Sequence, residues 1–428
     1  MIARSKPNVE PLAMRILWVS HLVPYPPKAG VLIRSYNLIR QLAKRAEVDL
    51  IMLNQPRLLG SYFDSQEAGK AAALEALKPM VGRHAILDIP AEQNPASRVL
   101  LKISSVFSRR GYTMRWLEGS SIENIVRAWT EQTQYDLVHL DTVSLDYLRR
   151  TLPPSTPIAL DHHNIESHMM GRRASKEMNP LKRAYFGLEY QRLRAAEVAA
   201  IGEYSGNIVC SEDDKTRLLE LNPSANVRVI PNGIDISGAP PERTPARAKL
   251  LFIGGLTWYP NLAAVKDLVD RVAPALRQRG VSFHIDIIGK GPTDEIKANV
   301  DATDDITLHG FVDDISQYYE QATAFVCPIN DGGGTKLKIL DAMAKRLPVV
   351  GYPLSCEGIE VKHNESALIA EGPDALASEI ERLISDPRLR DRIGEQGRRL
   401  VEDSYDFDEI GRNLYDYYLG LLTDRPSP

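Results

Sequence analysis

Short apolar runs alternate with helix-spaced segments along most of the chain, and this alternation constrains the fold more than any other feature. Arg15-Ile16-Leu17-Trp18-Val19 reads as a strand. A proline-rich loop follows and ends at Gly30. Leu32, Tyr36, Ile39 and Ala43 then recur at the spacing of one helix face. Residues 48–53 form the next strand. Further strands are predicted at 137–140, 157–160, 206–210 and 227–230, with a long polar helix at about 181–200. A second series starts after Pro245, with strands at 249–253, 283–288, 306–310, 324–328 and 348–351 and a helix at 336–345. Strands separated by helices build a parallel sheet covered on both faces.

Two such series imply two domains, and 428 residues suit two cores of roughly 200 residues each better than one. The expected division is an N-terminal α/β domain at 1–235, with 1–13 as a tail, a C-terminal α/β domain at 236–404, and a terminal helix within 405–428. The boundary is placed at 232–245, where proline, glycine and alanine dominate. Residues are 43% hydrophobic and 25% charged, as in a globular protein. A formal net charge of -4 argues against a nucleic-acid partner. The three cysteines, Cys210, Cys327 and Cys356, have no metal-ligand spacing and suggest no disulfide framework. Cys327 lies in an apolar run and reads as a small buried hydrophobe. Residues 1–13 lack the apolar stretch of a signal peptide, and no run approaches the roughly 20 apolar residues of a membrane span. The expected location is cytoplasmic, with peripheral contact at the inner face of the membrane left open.

The segment Asp331-Gly332-Gly333-Gly334-Thr335-Lys336 follows a buried strand and precedes a helix. Glycines let backbone approach a ligand closely, and a helix start offers unpaired N–H groups and the positive dipole end to a diphosphate. Thr335 can cap that helix or meet a phosphate oxygen, and either Lys336 or Lys338 can add charge. Gly334, Lys338 and Asp341 are spaced to share one face, so the Asp341 carboxylate can accept both hydroxyls of a ribose. These residues read as a nucleotide-sugar site.

The run from Asp331 through Asp341 to Ala344, with Leu347-Pro-Val-Val350 and Glu357-Gly-Ile359, resembles the donor site of family 4 glycosyltransferases. Pro231-Asn-Gly-Ile-Asp235, Phe252-Ile-Gly254-Gly255-Leu256 and Leu308-His-Gly310-Phe311-Val312 resemble further motifs of the same family. The resemblance runs from Met14 over nearly the whole chain. It implies the GT-B architecture, two Rossmann-like doubly wound domains facing a cleft, and a retaining, metal-independent sugar transfer without a cofactor. It also implies that the 308–312 loop holds the base and that the terminal helix crosses back to the first domain. The family often carries two glutamates eight positions apart. The second corresponds to Asp341, the first falls on Gly333, and Asp331 is the candidate to replace it in part. An arginine and a lysine usual near the first turn are absent, with Gly255 and Pro260 or Asn261 in their places. Phosphate charge then falls to Lys336, Lys338, the helix dipole and Lys290.

In the first domain, Gly30 opens a helix whose N–H groups can meet the donor, and Arg34 lies one turn further on, facing either the acceptor or solvent. Asp161-His162-His163-Asn164-Ile165-Glu166 follows a strand end, where polar residues line the crevice of an α/β sheet. By the resemblance His163 lies beside the transferring sugar, with His162 second, and Asn164 and Glu166 fall on the acceptor side. Adjacent residues rarely converge on one metal, so no metal is assigned there. Residues 98–115 interleave arginine and lysine with apolar residues, as either a surface for anionic membrane or a lipid-linked acceptor, or an ordinary amphipathic helix. The expected activity is hexosyl transfer from a nucleoside diphosphate sugar to a hydroxyl of a glycan or glycolipid, in envelope or exopolysaccharide synthesis. A non-catalytic nucleotide-sugar-binding subunit and a nucleotide-sugar epimerase are the alternatives.

Overall fold

A computed structural model describes residues 14–28, 30–236, 248–332 and 334–423. Contacts divide the chain into two compact units, Met1–Ile230 with Gly411–Pro428, and Pro231–Ile410.

The first unit is built on β1 (Arg15–Ser20), β2 (Glu47–Asn54), β3 (His84–Asp88), β4 (Leu137–Leu140), β5 (Ile158–His162), β6 (Gly206–Val209) and β7 (Val227–Val229). All pairings are parallel and the order is β3-β2-β1-β4-β5-β6-β7. Helices cover both faces, so the central strands are mostly apolar on both sides, with a few buried polar residues such as His139 and Asn207 among them. Ile16, Leu17, Trp18 and Val19 are all fully buried. The second unit is built on β8 (Lys249–Ile253), β9 (His284–Ile288), β10 (Ile306–Gly310), β11 (Ala324–Cys327), β12 (Val349–Gly351) and β13 (Leu368–Ile369), in the order β10-β9-β8-β11-β12-β13. All three cysteines are free and buried.

The edge strands β3 and β13 escape the sequence reading. β3 is only partly buried and β13 has two residues, so neither carries a clear apolar run. β5 continues two residues past the expected Leu160, which places Asp161 and His162 inside the sheet. The helix expected to start at Lys336 starts at Leu337.

The change of unit falls at Pro231, ahead of the expected 235/236, and the return falls at Gly411, after the expected 404/405. Residues 237–245 of the expected boundary lie outside the described residues. Two backbone bonds account for the shift. The Ile234 N–H donates to the Tyr405 carbonyl at 2.9 Å, and the Phe407 N–H donates to the Ile234 carbonyl at 3.1 Å. The outgoing and returning segments thus pair with one another inside the second unit. The helix Phe407–Thr423 then delivers Leu414 and Tyr418, both fully buried, to the first unit. Among the described residues no helix is long and apolar enough to cross a membrane.

Candidate functional site

In an open parallel sheet, helices leave neighbouring strands on opposite faces where the strand order reverses, and a crevice opens beyond the strand ends. In the second unit this occurs between β8 and β11. Gly254 and Gly255 leave β8, and the glycine loop follows β11, so both predicted donor loops border that crevice.

Lys338 is the second residue of the helix Leu337–Ala344, and its side chain leans back towards the helix start. Its Nζ donates to Asn261 Oδ1 at 2.6 Å and lies 4.8 Å from the centre of the Phe252 ring. Asn261 Nδ2 in turn donates to the Gly255 carbonyl at 2.9 Å, which fixes the amide with its oxygen facing the lysine. A Cβ on Gly254 would come within 2.5 Å of Lys338 Nζ, so this glycine makes room for the cation. Burial pushes the Lys338 pKa down, with Lys336 adding to the effect. No carboxylate among the described residues pairs with Lys338. A buried cation held by one amide and one ring is incompletely compensated, and an arriving anion would complete its shell.

Lys336 behaves differently from the expectation. It occupies the N-cap position and faces Glu357 Oε2 at 3.8 Å, so its charge is already answered by a carboxylate. Thr335 does not cap the helix, because it lies one residue before the cap position, and no side chain caps this start. The open helix start remains available to an anion. Gly334 lies outside the helix, at φ 74°, so only Lys338 and Asp341 share a helix face. Gly332, at φ 91°, receives its neighbour's side chain: its N–H donates to Asp331 Oδ1 at 2.7 Å. Asp331 therefore serves the loop's own turn. Gly333 lies outside the described residues. Burial raises the Asp341 pKa, Lys345 partly offsets this, and its carboxylate accepts no hydrogen bond among the described residues.

Lys290 is exposed after β9, and its carbonyl accepts from the Leu256 N–H at 2.8 Å. Gly310 ends β10 at φ 69°, and Phe311 beyond it is 71% exposed, a free aromatic face of the kind a base stacks on.

In the first unit the strand order reverses between β1 and β4. The first residues past those strands meet there. Asp141, fully buried, accepts hydrogen bonds from Ser20 Oγ at 2.8 Å, Ser35 Oγ at 3.3 Å, His21 Nδ1 at 3.2 Å and His163 Nε2 at 2.6 Å. Burial alone would raise the Asp141 carboxyl, but His163 and His21 hold it well below the usual carboxylate range. Burial alone would lower His163, but Asp141 and then Asp161 raise it above the ordinary histidine value. The His21 and His163 side chains remain 15% and 13% exposed. Their rings, 5.2 Å apart, thus form a polar floor that can donate to a hydroxyl or a phosphate oxygen. Glu166 stands close by: burial and Glu197 push its carboxyl up, and His21 and His163 partly offset this. Ligand atoms of His21, Asp141 and His163 lie within 4.8 Å of one another, so these three are among the described residues able to converge on a cation. Asn164 is partly exposed at the bend after His163. Gly30 opens the helix Gly30–Leu42, as expected from the sequence.

Two predicted site residues are corrected. Arg34 is 1% exposed and faces neither acceptor nor solvent. Its Nε and Nη2 donate to Asp161 at 3.2 and 3.0 Å, and Nη1 donates to the Ile230 carbonyl at 2.8 Å. It is a structural clamp between the opening helix, β5 and the end of the unit. His162 is 3% exposed and bonded to Asn207 Oδ1 at 3.2 Å. Successive strand residues point to opposite faces, so Asp161 and His163 share one side and His162 turns to the other.

Sequence reasoning missed His21 and Asp141. Their signal is positional: each is the first residue past a buried strand, where a sheet presents polar groups to its crevice.

Residues 28–237 match the family model described as Glycosyltransferase Family 4, and residues 247–386 match that described as Glycosyl transferases group 1. Relatives include the putative glycosyltransferase YtcC of Bacillus subtilis, 24% identical over 68% of this chain and 74% of its own. The capsular polysaccharide biosynthesis glycosyltransferase CapM of Staphylococcus aureus is 31% identical over 28% of this chain. An uncharacterized glycosyltransferase of Haemophilus influenzae is 24% identical over 50% of it. The chain spans 62% and 32% of the length of the Haemophilus and Staphylococcus relatives. Among solved structures, sucrose-phosphate synthase of Thermosynechococcus elongatus superposes with a TM-score of 0.66 at 17% identity, covering 96% of this chain and 100% of its own. HepE of Anabaena in complex with UDP and glucose gives 0.59 at 14% identity, covering 95% and 100%. Both family models fall on the two Rossmann-like units described above, and the chain belongs to the family 4, group 1 glycosyltransferases, with their GT-B fold.

Proposed function

We propose that the chain is a retaining, metal-independent hexosyltransferase. It moves a sugar from a nucleoside diphosphate donor to a hydroxyl of a glycan or lipid-linked acceptor. Lys338 carries this reading: a buried cation without a carboxylate partner among the described residues, beside two glycine turns and an uncapped helix start. That arrangement suits a diphosphate, whose growing negative charge during bond cleavage is the term an enzyme can stabilise most. Asp341 is assigned to the ribose and Phe311 to the base. His163, held by Asp141, is assigned to the sugar or the acceptor.

In the proposed step the C1–O bond to the diphosphate breaks and its electron pair goes to the phosphate oxygen. The acceptor oxygen bonds to C1 on the same face, and its proton passes to the departing phosphate. Lys338 and the helix N–H groups receive the charge. The name of CapM, which concerns capsular polysaccharide, supports placing the acceptor in surface polysaccharide assembly.

A second reading, a binding subunit without turnover, is favoured by one observation: Asp331 is bonded to its own loop, so it is a poor replacement for the glutamate absent at Gly333. Incubation with a panel of labelled nucleotide sugars separates the readings. Slow release of free sugar, with transfer once acceptor is added, is the expected result. Tight binding with no turnover supports the binding subunit, and interconversion of sugars without release supports an epimerase.

A further inference from the structure

The first unit presents an apolar face that its own core does not use. In the helix Pro95–Val106, Val99, Leu100, Ile103 and Val106 are 55%, 68%, 56% and 40% exposed, and Phe107 at its end is 87% exposed. Positions 99, 103, 106 and 107 share one side of a helix, so these side chains form a stripe. Single exposed apolar residues are ordinary on a protein surface; a continuous stripe marks an interaction site.

The charges beside the stripe have one sign. No acidic residue occurs between Glu92 and Glu118, and those two carboxylates are tied to Arg98 and Arg110. Arg115 is turned inward to the Ser104 and Ser105 hydroxyls. Lys102 and Arg109 stay exposed.

A second segment of the same unit repeats this composition. Met178, 90% exposed, stands in the turn between the helices Glu166–Lys176 and Pro180–Ile201, and Leu181, 82% exposed, is the second residue of the latter. Arg173, Lys176, Lys182 and Arg183 are exposed around them. The nearest acid, Glu177, accepts from the Asn179 N–H at 2.9 Å. The two segments are mechanically joined. Arg192 of the second helix donates to the Ser105 and Val106 carbonyls, both at 2.8 Å, and Leu181 lies about 16 Å back along that helix.

We propose that this composite face, the Val99–Phe107 stripe with Met178 and Leu181, docks on an anionic lipid surface. Its apolar side chains would enter the acyl boundary and its lysines and arginines would lie at the headgroups. Charge decides the occupant. In a chain of net charge -4, the exposed charges around these apolar residues are predominantly cationic: Lys102, Arg109, Arg173, Lys176, Lys182 and Arg183 outnumber the nearby Glu177. A second copy packed on the same face would set those cations against each other.

The test uses the full chain with sedimenting vesicles of phosphatidylcholine alone or mixed with an equal part of phosphatidylglycerol. Binding to the mixed vesicles, several-fold weaker on neutral vesicles and weaker at high salt, is expected. The Ile103→Glu/Phe107→Glu double variant should lose about tenfold or more of the binding, and Leu181→Glu several-fold. These side chains are exposed, so melting temperatures should match the parent. Failure of the parent chain to bind mixed vesicles overturns the proposal. So does undiminished binding by both variants, or a parent dimer that the double variant makes monomeric without altered vesicle binding.

Discussion

Lys338 and Lys336 lie two residues apart, yet they should respond differently to loss of charge. Lys338→Met should weaken nucleoside diphosphate binding by about 1.5–3 kcal/mol, roughly tenfold to a hundredfold in Kd by titration calorimetry. Lys336→Met, whose partner is Glu357, should cost less affinity and more stability. Equal affinity losses would sink the assignment of Lys338 as the diphosphate's cation. In the first unit, His163 gains its partner only in the fold, so the fold favours its protonated form. The stabilisation is complete below the ordinary histidine value of about 6.5 and is lost as pH rises through the raised value. Asp141 runs the other way: its contribution is complete above about 3.9 and is lost as pH falls through its depressed value. Asp141→Asn should therefore bring the His163 midpoint, followed by NMR, down to or below that of a free histidine. An unmoved midpoint would show that Asp141 does not control it. Arg34→Ala leaves Asp161 charged and buried, and should destabilise the first unit by about 3–5 kcal/mol in urea. A loss under 1 kcal/mol would mean that Arg34 is not the clamp described.

At the scale of elements, a pair of neighbouring glycines tests the geometry of the proposed donor crevice. A Cβ at Gly254 would lie 2.5 Å from Lys338 Nζ and 2.8 Å from the Asn261 amide carbon, whereas a Cβ at Gly255 meets nothing within 4 Å. Gly254→Ala should displace the lysine and lower nucleotide affinity about tenfold or more, while Gly255→Ala should bind as the parent does. Identical affinities would place the nucleotide elsewhere. Most of these elements are legible in the sequence because central parallel strands are mostly apolar runs that end in polar or glycine residues. β3 and β13 are not, since a half-exposed edge strand and a two-residue strand carry no period to read. The helix starts one residue later than its apolar spacing predicts, which makes Thr335 a loop residue rather than a cap.

At the scale of the whole molecule, the chain leaves the first unit at Pro231 and returns at Gly411. The returning helix fills a place in the first core: the Tyr418 hydroxyl lies 2.6 Å from His139 Nδ1, and burial lowers the His139 pKa to about 4. Truncation after Ile410 should lower the melting transition of the first unit by calorimetry and leave that of the second near its parent value. Tyr418→Phe should cost about 1–3 kcal/mol, because a buried ring nitrogen loses its partner. Equal shifts in both transitions would contradict the assignment of residues 411–428 to the first unit.

The glycine loop, Lys338, Asp341 and His163 stand out as candidates in the linear chain, because each sits at a fixed offset from a strand end or a helix start. Their division of labour does not. Lys336 and Lys338 look interchangeable in sequence, and only the position of Glu357 separates the neutralised cation from the available one. His162 and His163 look interchangeable too, until the alternation of β5 turns one towards Asn207 and the other towards Asp141. Local physics wrote the strands, turns and helices. Packing between residues more than a hundred positions apart, as between Ser20 or His21 and Asp141, decided which charges are buried, paired or left for a ligand.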